Sequence, residues 1–311
     1  MLSRAAERVY WIGRYLERAE NTARIVQQYS QLLLDMPADV GVSWAELVRI
    51  FGAADHFQLS GYDQSEDTVL DFLLADRASP VSLVWSIRRA RDNLRNTRDL
   101  LPQEAWESVN ELNHYAAEQL SGAARGDDRF ETLSECIARC LQLNGAFDGT
   151  MSHEMPFRFL RLGQHLERAD MTSRILDVAA TYIQFNKPVA RRYGSVLWTN
   201  ILRSVSGFQM YRQYRQAEIV GRDVIDFLAC DTGFPRAIAR CLSRATYNAA
   251  LLPRSSATRD VLDEATALLE DLPSLHPDAD AVSARLDELQ RRLGRAHQTL
   301  CDTWFLPTET Q

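Results

Sequence analysis

Thirteen residues, GRYLERAENTARI from Gly13 to Ile25, return as GQHLERADMTSRI from Gly163 to Ile175, displaced by 150 positions. Nine pairs recur in register: Gly13/Gly163, Leu16/Leu166, Glu17/Glu167, Arg18/Arg168, Ala19/Ala169, Glu20/Asp170, Thr22/Thr172, Arg24/Arg174 and Ile25/Ile175. Several of these are charged or glycine. Packing of a core tolerates many apolar swaps, so packing alone does not hold charged positions so closely. The chain therefore reads as a duplicated unit whose charged residues serve more than helix formation.

The period inside the repeat is helical. Val9, Ile12, Leu16, Ala19, Ala23 and Val26 follow 3-4-3-4-3 spacing, with Ser3 as the expected N-cap. Leu83, Ile87, Ala90, Leu94 and Leu101 give a second amphipathic stretch, which Ser79-Pro80 is expected to open. Further helices are expected at 44–53, 66–76, 103–122, 129–150, 156–184, 196–215, 217–230, 235–250, 257–271 and 278–305. Breaks are expected at Met36-Pro37, Gly52 to Gly61, Leu101-Pro102, Gly122 to Asp128, Asn186-Pro188, Leu252-Pro253 and Leu272 to Pro277. No alternating strand pattern stands out. With only 14 Gly and 10 Pro in 311 residues, the chain reads as all-α.

The repeat runs past its first helix. Val69-Leu70-Asp71-Phe72-Leu73 and Asp76 match Val224-Ile225-Asp226-Phe227-Leu228 and Asp231 at an offset of 155, and so do Pro80/Pro235, Arg89/Arg244 and Asn93/Asn248. Leu100-Leu101-Pro102 matches Leu251-Leu252-Pro253 at 151, and Trp44 pairs with Trp198 at 154. Small drifts in offset are what loop insertions between fixed helices produce. The expectation is a helical bundle of two multi-helix halves, 1–152 and 153–311, docked about a pseudo-twofold.

On a helical wheel with Leu16 at zero, Gly13, Glu17, Glu20 and Arg24 fall at roughly +40° to +100°, bordering the apolar stripe. Glu17 and Glu20, and Glu20 and Arg24, are surface neighbours on one helix. Gly13 would let another backbone or a ligand approach. Glu167, Asp170 and Arg174 repeat the pattern. If the two helices meet, Glu17, Glu20, Glu167 and Asp170 converge. One reading is a buried ion-pair network that fixes how the halves dock. Another is a polar site in which these four acids hold a metal or an amine, or do acid–base work. A third is a solvated face. No Glu-x-x-His pairing of a di-metal bundle is present, so no metal is expected.

A second cationic feature is Arg88, Arg91, Arg95 and Arg98, spaced 3-4-3 as one basic edge of a helix. It reads as a solvated face, or as a contact for an anion or an acidic partner, since guanidinium forks suit carboxylate and phosphate. The matching positions Ser243, Thr246 and Ala250 are not basic, so the edge belongs to one half. Arg212 and Arg236 are isolated cations near helix boundaries.

The net charge of −7 disfavours a bulk nucleic-acid binder. The start lacks the apolar run of a signal peptide, and no long uncharged apolar stretch suggests a membrane span. Five cysteines without a CxxC fit a reducing cytoplasm. Cys136 and Cys140, one turn apart, read as small buried residues. Phosphate-loop, dinucleotide, HExxH and GxSxG motifs are all absent from the sequence, no nucleophile–base pair can be named from spacing, and no cofactor is expected.

Four ordered blocks, SRAAERVYWIGRYLERAENTARIV, DRASPVSLVWSIRRARDNLR, LGQHLERADMTSRIL and YRQY…DFLACDTGFPRAIARCL, together resemble the bacterial alpha-E family across nearly the whole chain. The resemblance implies an all-helical protein without a defined activity. It also implies genes neighbouring a circularly permuted ATP-grasp protein and a transglutaminase-like cysteine protease, and hence a part in ATP-dependent amide or peptide bond formation. The chain carries neither partner's motifs, so that chemistry would lie in a partner. The family's charged positions map onto Arg14, Glu17, Arg18, Glu20 and Arg24, then Glu167, Arg168, Asp170 and Arg174, while Gln164 stands where Arg14 does in the first copy. The expected role is an accessory binding subunit of such a ligase system, possible as an oligomer. The alternatives are an enzyme using the paired carboxylates and a purely structural scaffold.

Overall fold

The computed structural model describes residues 2–37, 42–126, 128–185, 187–215, 218–276 and 278–305. Among them stand fourteen α-helices and no strand. In chain order these are α1 (Ser3–Asp35), α2 (Ala45–Ile50), α3 (Ala54–Leu59), α4 (Glu66–Leu74), α5 (Leu83–Arg95), α6 (Gln103–Ala123) and α7 (Arg129–Thr150), then α8 (Met155–Phe185), α9 (Lys187–Ser204), α10 (Phe208–Tyr214), α11 (Gly221–Cys230), α12 (Ile238–Ala250), α13 (Ser256–Ala267) and α14 (Ala279–Leu300). None is long and apolar enough to cross a membrane.

The helices that the sequence periodicity marks most strongly are present nearly as expected, and the differences have local causes. Helix α5 opens at Ser82 instead of Ser79-Pro80, because the Ser82 hydroxyl accepts from the Trp85 N–H at 3.2 Å. Ser3 is the first residue of α1 and not its cap, a position that falls to Leu2 without a side-chain bond. The expected helix 196–215 starts earlier, at Lys187, and is cut in two at Ser206, whose φ is 53°. There the Gly207 N–H bonds to the Leu202 carbonyl and the Ser206 N–H to that of Arg203. This is a Schellman ending with serine where glycine is usual, so the sequence carries no obvious stop signal. Helix α3 lies inside the expected Gly52–Gly61 break. Helices α11 and α12 begin later than expected and α13 ends earlier, at Ala267. The break residues Asp127, Asn186 and Pro277, and Ala217, fall outside the described residues.

Helices α1 and α8 form the most extensive pair and run through one contiguous hydrophobic core. Helix α1 packs on α5 and α7, α5 on α6, and α6 on α7; α8 packs on α12 and α14, α12 on α13, and α13 on α14. The closest approach of α1 and α8 is at their glycines. A Cβ on Gly13 would stand 2.1 Å from the Leu160 carbonyl oxygen, and one on Gly163 would stand 2.1 Å from that of Tyr10. Only glycine permits this backbone-to-backbone contact.

Candidate functional site

One helical turn beyond each glycine, the Glu-Arg dipeptides meet crosswise. Glu17 of α1 accepts from Arg168 of α8, Nε to Oε1 at 2.8 Å and Nη2 to Oε2 at 2.5 Å. Glu167 of α8 accepts from Arg18 of α1, Nε to Oε1 at 2.6 Å and Nη2 to Oε2 at 3.1 Å. Both are forked guanidinium–carboxylate pairs, the strongest kind of charged hydrogen bond. Each glutamate then receives a second arginine from a different source. Arg14, one turn before Arg18, bonds Glu167. Glu17 is instead reached by Arg236, from the turn ahead of α12, whose Nη1 donates at 2.8 Å. Arg236 also bonds Glu20 and Asn21, and its own carbonyl accepts from Thr172 at 3.0 Å. Within each helix, the Arg24 Nε donates to Glu20 and the Arg174 Nε to Asp170, both at 2.9 Å.

The acids of the repeat are therefore not on the margin of the core, as the wheel suggests. Glu17, Glu20 and Glu167 lie inside it, at 1%, 0% and 1% exposure. Asp170 keeps a partly exposed side chain. Burial pushes a carboxyl pKa up, and at Glu17 and Glu167 the arginines overcome it. Arg168 and Arg236 hold the Glu17 carboxyl down at about 2, and Arg14 and Arg18 hold Glu167 at about 2. Both stay ionised at neutral pH, and both are enclosed by donors. A carboxylate in that state is a poor general acid or base, because its proton affinity is spent on fixed cations.

The surroundings of the two glutamates differ. Beside Glu167, Arg14 lies over the Tyr10 and Trp11 rings and Arg18 over Tyr15. Trp11 stacks on Tyr15 at 5.0 Å, and Tyr15 meets Trp85 edge-on at 5.3 Å. Tyr10 takes a hydrogen bond from Arg14, and its hydroxyl is hydrogen-bonded with His297 Nδ1 at 2.9 Å. Beside Glu17, by contrast, Arg168 and Gln164 form the floor of an open cleft of about 380 Å³ between α7, α8 and α12. Gln164 donates to Glu17 at 3.3 Å and to Asn144 at 2.9 Å, and it accepts from Arg161.

The other sequence candidates lie apart. Arg88 and Arg95 are exposed on α5. Arg98 lies past the end of α5 at Arg95, so the four arginines do not share one helical edge. Arg98 and Arg91 instead both cover the Trp106 ring of α6, and Arg91 bonds Asn110 at 2.9 Å. Arg212 is exposed on α10. Cys136 and Cys140 are buried, as their spacing suggests. The structure brings one thiol to an imidazole, Cys301 Sγ 3.7 Å from His297 Nε2. Burial raises that thiol's pKa and lowers that of His297 to about 4, the opposite of an activated thiolate–imidazolium pair. Among the described residues no three His, Cys, Asp or Glu side chains are grouped to hold a metal ion.

The Alpha-E family model, described as a predicted alpha-helical domain with a conserved ER motif, matches residues 1–305. The chain belongs to the Alpha-E family. The two Glu-Arg dipeptides that cross at the α1–α8 contact, Glu17-Arg18 and Glu167-Arg168, give such a motif a physical task in this Alpha-E chain. Uncharacterized proteins from Mycobacterium bovis and from two strains of Mycobacterium tuberculosis are similar to it, each 24% identical over 330 residues. The match covers 97% of this chain and 36% of each relative, so the chain spans about a third of the length of the curated relatives it matches. No solved structure matches.

Proposed function

We propose that this Alpha-E chain is an accessory binding subunit that works beside an amide- or peptide-bond-forming ligase of the ATP-grasp type, with a transglutaminase-like protein as a further partner. The observation that carries the non-catalytic part of the reading is the saturation of the repeat's buried carboxylates: Glu17, Glu20 and Glu167 each bind at least two arginines. Such a network orients helices and leaves no carboxylate free to take a proton. The reading also takes residues 1–152 and 153–311 as two docked copies, with α1 and α8 as the joint. The ligase partnership is supported by the family resemblance. Relatives in which the matching segment fills 36% of the chain fit a module that acts next to other domains. The five free cysteines agree with a cytoplasmic setting, where ATP is also supplied.

The test is reconstitution. The purified chain and the neighbouring ATP-grasp protein are mixed at micromolar concentration and analysed by analytical ultracentrifugation, and ATP turnover by the ligase is measured with and without the chain. A stable complex and a changed turnover are expected. No complex, together with unchanged ligase products in a strain lacking this chain, would remove the proposal.

A further inference from the structure

The cleft beside Glu17 is lined by four arginines, and the protein leaves the charge of two of them unmatched. Of its four arginines, Arg168 is neutralised by Glu17 and Arg161 by Asp148. Arg158 and Arg244 have no carboxylate partner among the described residues. Arg158 makes one weak bond, to the Asn248 side chain at 3.3 Å. Both guanidinium groups cover the same ring, Tyr247, at 5.7 and 5.0 Å. Two positive charges held on one ring repel each other, and the arrangement is relieved by a shared counter-anion. His165 also lines the cleft, and its Nδ1 is buried with no hydrogen-bond partner.

The cleft also has flat apolar walls. His153 is exposed and stacks at 3.9 Å on the buried Phe157, and Tyr247, which also lines the cleft, is half exposed. A space of about 380 Å³ is within the range of small-molecule sites. Fixed guanidinium forks select a planar or tetrahedral oxyanion, and aromatic walls select a ring.

We propose that this cleft binds a phosphate monoester that carries an aromatic ring, the chemistry of a nucleoside monophosphate, with Arg158 and Arg244 on the phosphate and His153 and Tyr247 flanking the ring. The site is independent of the ligase partnership, since every residue in it belongs to this chain. Its test therefore uses the isolated protein. Isothermal titration calorimetry with adenosine monophosphate, adenosine and inorganic phosphate is run on the wild type and on Arg158→Gln, Arg244→Gln and Arg95→Gln. The expected result is that adenosine monophosphate binds at least tenfold more tightly than either fragment. Each cleft variant should lose at least tenfold in affinity, and Arg95→Gln should bind as the wild type does. If a cleft variant does not fold, Tyr247→Ala replaces it and is read the same way. No binding of the monophosphate by the wild type, affinity no greater than for phosphate or adenosine alone, or affinity unmoved by the cleft substitutions would each overturn the proposal.

Discussion

Around Glu167, Arg18 lies against a run of aromatic rings, whereas around Glu17 the corresponding Arg168 lines a polar cleft. A few exchanges between positions 150 residues apart make the difference. Trp11 and Tyr15, beside Glu167, stand 150 positions before Arg161 and His165, beside Glu17. The cross-pairs beneath are alike, glutamate on one helix and forked arginine on the other. The second arginine is also conserved in number though not in place. Arg14 has Gln164 as its counterpart, and Arg236 has Val81 at the offset of 155. Each glutamate thus binds two guanidinium groups, although different elements supply them. Two charges per carboxylate are common to both sites, while the side chains around them are aromatic at one and polar at the other.

The joint itself is where a single atom should matter most. Gly13→Ala and Gly163→Ala would each press a methyl group to 2.1 Å from a backbone carbonyl that cannot step aside. Each should cost about 4 kcal/mol or more and leave little folded protein. Denaturant unfolding checks this, and near-equal losses for the two are expected because the contacts are reciprocal. The glutamates come next. Glu17→Gln and Glu167→Gln strand buried arginines, at a cost of about 3–5 kcal/mol each. Glu167 should lie at the upper end, since its loss leaves both Arg14 and Arg18 without their carboxylate, whereas Arg236 keeps Glu20 when Glu17 is lost. Equal and small losses would show that the network does not hold the helices.

The pH dependence follows from the same groups. The folded-state pKa values of Glu17 and Glu167 are held at about 2, below the ordinary range near 4.5. The unfolded chain therefore binds more protons in this window. The stabilisation is complete above about pH 4.5 and fades as pH falls to about 2, by roughly 3 kcal/mol per carboxylate. His297, lowered to about 4, adds loss of the same sign between about pH 6.5 and 4. Urea unfolding at successive pH values should show both phases. The smallest effects separate the aromatic surroundings of Glu167 from the cleft. Trp85→Ala, which removes the ring against Tyr15, should cost about 2 kcal/mol, and Tyr247→Ala, half exposed at the cleft, less than about 0.5.

Much of this architecture is written in periodicity and repetition. The 3-4 spacing of Val9 to Val26 places α1, and the paired Gly13 and Gly163 mark the contact that brings α1 to α8. The recurrence of Glu17-Arg18 as Glu167-Arg168 points to the residues that meet there. What spacing along one helix cannot convey is which charges cross between helices. Arg236 looks like an isolated cation after a proline, yet it lies 219 positions from Glu17 in sequence and bonds it in the fold. No spacing within its own segment ties it to Glu17. The cleft was hidden for a related reason. Arg158, Arg244 and His165 sit on different turns of two helices and acquire a common purpose only when α8 and α12 pack.

The central claim is that the crossed Glu-Arg pairs join α1 to α8, and a double-mutant cycle on one pair tests it most directly. Unfolding free energies at pH 7 are measured for the wild type, Glu17→Gln, Arg168→Gln and the double variant. Burial on both sides predicts a coupling of about 2–3 kcal/mol between the two positions. A coupling below about 0.5 kcal/mol, the level of a solvated surface pair, would contradict the account.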